Sequence, residues 1–446
     1  MESDSTAHGH AGMLRQWIWR DFANITLGVW LVSSPFTLGY TESPMVWSDV
    51  ISGTVIAIVA TLTLFPRFDL GRWVLCLVGI WLLLAPLLFW TRDPAAYANG
   101  NLIGGLVIAF SVLIPMMPSR VHHRVMMTPG PDIPPGWSYN PSGWIQRGPI
   151  IAMALIGFFL SRYLAAYQLG HIEDVWDPFF GDGTRRVLDS DVSRAWPVSD
   201  AGLGAASYLI EALSGVMGAR NRWRTMPWMV VMFGVLVVPL GIVSLVLVML
   251  QPIAVGAWCT LCLVTAFAML IMVSPALDEV IAMGQFLAAA RREGQPVWTV
   301  FWTGGTLAQQ SAATTAAPQA ATGPRLLEGL DLDTAPWNLF VAAMLGVWLM
   351  STPALLGTSG WAANIDYLAG ALVVTWSVIA FGEVARPVRF CNILVGLGLI
   401  AATLLVSGGT ELSRWSDVVT GLTVAGLSVR RGRIESRFGG WNRMLV

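Results

Sequence analysis

Runs of about 20 apolar residues, broken by short polar stretches, recur from one end of this chain to the other, and no feature restricts its fold more. Each run is long enough to cross a hydrocarbon layer as a helix, where every backbone polar group must be satisfied within the segment. With 55% hydrophobic and 12% charged residues and a mean hydropathy of +0.63, a soluble globule is excluded. The pattern predicts an all-α integral membrane protein of about twelve spans: 17–38, 47–65, 72–90, 99–117, 148–170, 201–218, 228–250, 254–274, 336–357, 365–384, 390–408 and 415–429. The polar start "MESDSTAHGHAG" carries no basic region of a cleavable signal. A net charge of −1 argues against nucleic acid as a partner.

The chain has no lysine, so arginine alone carries the orientation signal. Arg15 and Arg20, Arg67 and Arg72, Arg120, Arg124 and Arg147, Arg220, Arg222 and Arg224, Arg291 and Arg292, Arg386 and Arg389, and Arg430 to Arg437 all fall on one side of the predicted spans, with Arg92 and Arg414 as minor exceptions. The positive-inside rule makes that side the cytoplasm and puts both termini there, as in a bacterial-type inner membrane. Arg185, Arg186 and Arg194 sit in a longer loop on the other side.

Comparing the chain with itself reveals a repeat. "GVWLVSSP" (28–35), "GIWLLLAP" (79–86) and "GVWLMSTP" (346–353) share Gly, Trp and Pro. "WSDVISG" (47–53) recurs as "WSDVVTG" (415–421), with "NGNLIGG" (99–105) and "NIDYLAG" (364–370) as looser copies. Each unit is a helical hairpin of about 50 residues, and the last has lost its Trp and Pro after Gly396. These residues resemble the SPW repeat family of membrane proteins. Asp49 and Asp417 are expected as helix N-caps. The blocks are taken as 1–130 and 335–446, with a flexible Ala/Thr/Gln/Pro linker at 303–334.

Between them, residues 148–293 hold four predicted spans and "WCTLC" (258–262). Cys259 and Cys262 lie one turn apart, with Cα atoms about 5 Å from each other in a helix, within disulfide range. A cysteine near a helix N-terminus gains thiolate character. The stretch "LDEVIAMGQFLAAARRE" (277–293) is expected as a separate helix along the membrane surface. Cys76 and Cys391 are read as small buried hydrophobes.

The segments "VLDSDVSRAWPVSDAGLGAASY" (187–208), "PLGIVSLVLVMLQPI" (239–253) and "WCTLC" resemble the vitamin K epoxide reductase family. That resemblance implies a four-helix oxidoreductase that passes electrons between the helical cysteine pair and a membrane quinone. Cys259 and Cys262 match the helical pair, and Ser190 a serine that hydrogen-bonds the quinone. Trp258 is expected to offer the quinone a stacking surface. Two family features are missing: Thr184 stands where the second loop cysteine belongs, with no cysteine upstream, and Ala266 replaces a frequent tyrosine. The full intramolecular relay is therefore excluded. The expected partners are lipid, quinone and an extracytoplasmic thiol protein or another membrane protein. The competing expectation is a non-catalytic membrane scaffold that keeps the reductase fold. Arg162 and Glu211 are intramembrane charges, and His171 has no neighbouring ligands, so no metal site is expected.

Overall fold

The computed structural model describes residues 18–68, 70–113, 130–307, 336–406 and 408–445. Most of the 303–334 linker, Arg15, Arg120 and Arg124 lie outside the described residues. The order is α1 (Ile18–Leu38), α2 (Ser43–Thr63), α3 (Gly71–Leu88), α4 (Pro94–Ile108), α5 (Trp144–Gln168), a short α6 (Gly183–Leu188), α7 (Asp200–Val216), α8 (Pro227–Leu250), α9 (Thr260–Arg292), α10 (Val297–Thr303), α11 (Trp337–Leu356), α12 (Gly360–Phe381), α13 (Phe390–Leu405) and α14 (Glu411–Val429). Among the described residues, nine helices are long and apolar enough to cross a membrane, against the twelve spans expected. The remaining three are compromised by composition or length. α1 opens with Arg20 and Asp21, α14 carries Glu411, Arg414 and Asp417, and α7 has 17 residues.

The chain packs as two compact units. The first comprises residues 1–128, 158–175 and 193–219 and contains the hairpins α1–α2 and α3–α4. Each hairpin closes on a glycine pair. A Cβ on Gly28 would stand 2.7 Å from the Gly53 carbonyl oxygen, and one on Gly104 would stand 2.7 Å from that of Gly79. Only hydrogen side chains let the backbones approach so closely. A core of Leu31, Ile56, Leu75, Leu82, Ile103 and Val107 joins the two hairpins.

The tryptophans of the repeat then cross-link them. Trp30 Nε1 donates to Asn99 Oδ1 at 3.0 Å, and Trp81 Nε1 to Ser48 Oγ at 3.0 Å. Each tryptophan lies two residues after its helix's crossing glycine, and each acceptor five residues before its own. The exchange is therefore reciprocal between the hairpins.

The second unit comprises residues 129–157, 176–192 and 220–446, and its hairpins α11–α12 and α13–α14 repeat the crossing. A Cβ on Gly346 would stand 2.8 Å from Gly370 O, and one on Gly396 2.5 Å from Gly421 O. Trp348 Nε1 donates to Ser416 Oγ at 2.9 Å. The reciprocal pair is gone, and both of its members changed. Gly398 stands at the tryptophan position and Ile365, packed against the Leu349–Ala369–Leu399 cluster, at the acceptor position.

Two local expectations are corrected. Asp49 and Asp417 are not N-caps: α2 is preceded by Glu42 and α14 by Thr410, whose hydroxyl accepts the Ser413 amide. Both aspartates lie buried within their helices, and Asp49 accepts a hydrogen bond from the Tyr40 hydroxyl. Nor do residues 277–293 form a separate surface helix, because α9 runs unbroken through Pro275 to Arg292. The inward face of that extension explains why. Glu279 is buried in an ion pair with Arg222, Asp278 accepts from the Tyr139 hydroxyl at 2.7 Å, and Gln285 bonds Trp137 and the Phe438 carbonyl.

Candidate redox site

The site lies wholly within the second unit. α8 ends in a wider π turn at Gln251–Val255, and Gly256, at φ 66°, reverses the chain. That left-handed conformation favours glycine. The reversal delivers Cys259 to the N-cap position of α9, so the helix begins at Thr260 rather than near residue 254. Cys259 and Cys262 form a disulfide with Cα atoms 5.3 Å apart. The Cys262 amide donates to Cys259 Sγ at 3.1 Å, so a free amide of the first turn already faces the sulfur that would carry charge after reduction. Gln251 Oε1 accepts the Cys259 amide at 2.9 Å and fixes the approach to the helix.

The loop before α6 closes over this helix end through one carboxylate. Asp177 Oδ2 accepts from Thr184 Oγ1 at 2.6 Å and from the Thr260 amide at 3.1 Å. Asp177 Oδ1 accepts from Thr260 Oγ1 at 2.6 Å and from the amides of Phe179 and Phe180 at 3.0 and 2.8 Å. Burial alone would raise the pKa of this carboxyl, but donors from Thr184, Thr260 and the two amides hold it well below the usual carboxylate range. Gly183 completes the contact, since a Cβ there would stand 2.0 Å from the Trp258 carbonyl oxygen. Arg186 Nη2 reaches the Gly256 carbonyl at 3.3 Å.

The cysteines are unequal in access: Cys259 is 0% exposed, while Cys262 is half-buried. Cys259 is thus the less accessible cysteine although it stands nearer the start of the helix. Trp258 lies beside them with its ring against Phe180, at 6.4 Å, and Tyr367 of α12, at 5.7 Å and edge-on. Ser190 lies just beyond the end of α6. Its hydroxyl donates to Val187 O at 2.6 Å, and it lines an open, polar depression of about 620 Å³ with Arg185, Arg186, Asp191 and the 254–255 turn.

Asp177, Gln251 and Tyr367 were not singled out from the sequence. Asp177 has a local signal, an acid seven residues before the threonine at the cysteine position, but Gln251 and Tyr367 act through tertiary placement. The other charged candidates belong to the first unit. Arg162 lies over the Tyr97 ring at 5.5 Å, and His171 bonds the Thr91 carbonyl at 3.0 Å. Glu211 is fully buried, with no hydrogen-bond partner on either oxygen among the described residues. No group of three or more metal-ligating side chains occurs among the described residues. Cys76 and Cys391 are free and half-buried.

Comparison with known proteins finds two family models that match the chain. Residues 149–277 match the model of the vitamin K epoxide reductase family, and residues 18–114 match the SPW repeat domain. Neither a curated protein nor a solved structure matches the chain. The centre of this multi-pass membrane chain is therefore a domain of the vitamin K epoxide reductase family, a family of membrane oxidoreductases, and an SPW repeat domain precedes it.

Proposed function

We propose that the chain is a membrane thiol–disulfide oxidoreductase that couples Cys259 and Cys262 to a membrane quinone at the extracytoplasmic face. The observation that carries this reading is the Cys259–Cys262 disulfide at the N-cap of α9, with the Cys262 amide directed at Cys259 Sγ. A quinone fits the surroundings. Trp258, the chain neighbour of Cys259, and Tyr367 packed against it present aromatic surface, and the Tyr367 hydroxyl makes no hydrogen bond among the described residues. Such a group, when bound, supplies a two-electron, two-proton acceptor.

The chain's own residues perform the thiol chemistry. A partner thiolate attacks Cys259 Sγ, the Cys259–Cys262 bond breaks, and the Cys262 sulfur leaves as a thiolate and takes a proton. The partner's second thiol then attacks the mixed disulfide, leaving an oxidised partner and a reduced pair. Re-forming the Cys259–Cys262 bond passes two electrons and two protons to the quinone. Because Thr184 replaces the loop cysteine, the partner must supply both thiols. Because Cys259 is buried, the Asp177 contacts must open first. Residues 335–446, with the same glycine crossings as 18–113, are proposed as a second SPW-like block.

Changing Cys262 to Ser tests this reading. In this variant the Cys259 thiolate attacks the disulfide of the oxidised partner, the reverse of the second step. With no Cys262 to complete the exchange, a mixed disulfide should accumulate on Cys259 in native membranes, seen as a reducible higher-mass species that vanishes when Cys259 is also changed. The missing loop cysteine favours a second reading, a scaffold that keeps the fold without the reaction. That reading wins if nothing is trapped and added quinone leaves the redox state of the wild-type pair unchanged.

A further inference from the structure

The connection from α12 to α13 is a tight helical segment, Glu383–Arg389, in which Arg386 and Arg389 are only 2% and 3% exposed. Their guanidinium groups bond main-chain carbonyls. Arg386 Nη1 donates to Arg431 O and Nη2 to Phe381 O, both at 3.3 Å, and Arg389 Nη1 donates to Arg386 O at 3.0 Å. Capping Phe381 O at the end of α12, Arg386 O within the connection and Arg431 O just past α14 explains those bonds. It does not explain the Nε atoms of both arginines, which are buried without a hydrogen-bond partner among the described residues. Nor does it explain why Arg431 joins them within electrostatic reach, so that three positive charges repel one another.

The neighbouring acid is already engaged. Glu383 lies in electrostatic reach of Arg386, but its two oxygens accept the amides of Glu435 and Ser436 at 3.0 Å. Among the described residues no carboxylate forms an ion pair with Arg386, Arg389 or Arg431. Gathering three like charges, two of them buried, around the single carboxylate of Glu383 is costly, and a bound anion lowers that cost. Planar guanidinium groups suit phosphate oxygens best.

The surroundings say what carries the phosphate. The Arg389 guanidinium lies 4.2 Å over the Phe390 ring. Phe390, Leu394 and Leu397, exposed by 47%, 72% and 54%, follow at i, i+4 and i+7 and so form one apolar stripe along α13. An amphiphile with a charged head and a hydrocarbon tail matches both parts at once.

We propose that Arg386, Arg389 and Arg431 form a binding site for the phosphate of an anionic phospholipid, whose acyl chain runs along Phe390, Leu394 and Leu397. The site is independent of the redox chemistry. Native mass spectrometry of the delipidated full-length protein in detergent tests it, with phosphatidylglycerol and phosphatidylcholine of the same acyl chains and with inorganic phosphate alone. Phosphatidylglycerol should be retained about tenfold better than phosphatidylcholine, and Arg389→Gln with Arg431→Gln should erase the preference. Should that double variant fail to fold, Arg431→Gln alone should reduce the preference, since the Arg431 guanidinium caps no helix. Equal retention of the two lipids, or a preference that survives the substitutions, overturns the proposal. Inorganic phosphate bound without any lipid preference also overturns it, because the site would then hold a free anion.

Discussion

The Thr184 hydroxyl donates to Asp177 Oδ2 at 2.6 Å, and the same oxygen takes the Thr260 amide, one residue beyond Cys259. A loop that lacks both family cysteines is thus held to the cysteine helix by one carboxylate. The contact is reversible without redox chemistry, which makes loop opening the controlling step for access to Cys259.

Hydrogen bonds to a charged group contribute roughly 1.5–3 kcal/mol each, so losing even one net bond changes loop opening by about tenfold or more. Asp177→Ala should therefore raise the rate at which a membrane-impermeant maleimide labels reduced Cys259 by at least about tenfold. Thr184→Val, which removes one donor and keeps the carboxylate, should have a smaller effect in the same direction. Labelling rates identical to wild type in both variants would show that Asp177 does not gate the site.

The pH dependence of that protection has a definite sign. A carboxyl whose pKa is lowered by folding stabilises the docked loop above its unfolded pKa, about 4, and the stabilisation is lost only as pH falls through the lower folded pKa. Cys259 should stay equally protected from pH 8 down to about 4 and become accessible only in stronger acid. Labelling with a thiol reagent that works across this range reads the profile; a midpoint near pH 6 contradicts the assignment to Asp177.

The glycine crossings should dominate the stability of the repeat hairpins. Gly53→Val puts a side chain where even a Cβ would be 2.6 Å from the Gly28 carbonyl, and overpacking of this kind costs about 1–3 kcal/mol or more. Its detergent melting temperature should fall by several degrees. Gly426→Ala in α14, which meets nothing within 4 Å, should leave the melt unchanged or raise it slightly.

Arg222 and Glu279 pair with no exposure to solvent on either side chain beyond 1%. Removing one member of such a pair costs about 3–5 kcal/mol because the other charge is stranded. Glu279→Gln and Arg222→Leu should each lower the yield of monodisperse protein sharply. The double change Arg222→Leu with Glu279→Leu should recover much of it, as measured by size-exclusion chromatography.

The alternating arginines predict a cytoplasmic linker. A reporter fused at residue 320 should be active only if the reporter works in the cytoplasm. Activity of a periplasmic reporter there would move the cysteine pair to the reducing side.

Periodicity and composition alone determined the all-α membrane class, the hairpin repeat and the cysteine pair, because each is a local property. A 20-residue apolar run must be helical in lipid, and i, i+3 cysteines on a helix are always near each other. The repeat was legible as "GVWL" and "WSDV" strings, but only the structure assigned those residues to glycine crossings and to Trp–Ser and Trp–Asn bonds between hairpins. Those bonds join residues 33 to 69 positions apart, a separation no local pattern reports. The tertiary structure likewise decided that Cys259 is a buried N-cap: Gln251 accepts its amide, and Asp177, itself held by Thr184, accepts the amide of the next residue, Thr260. Access to a sulfur depends on what folds over it, and Asp177 and Thr260 are 83 positions apart in the chain.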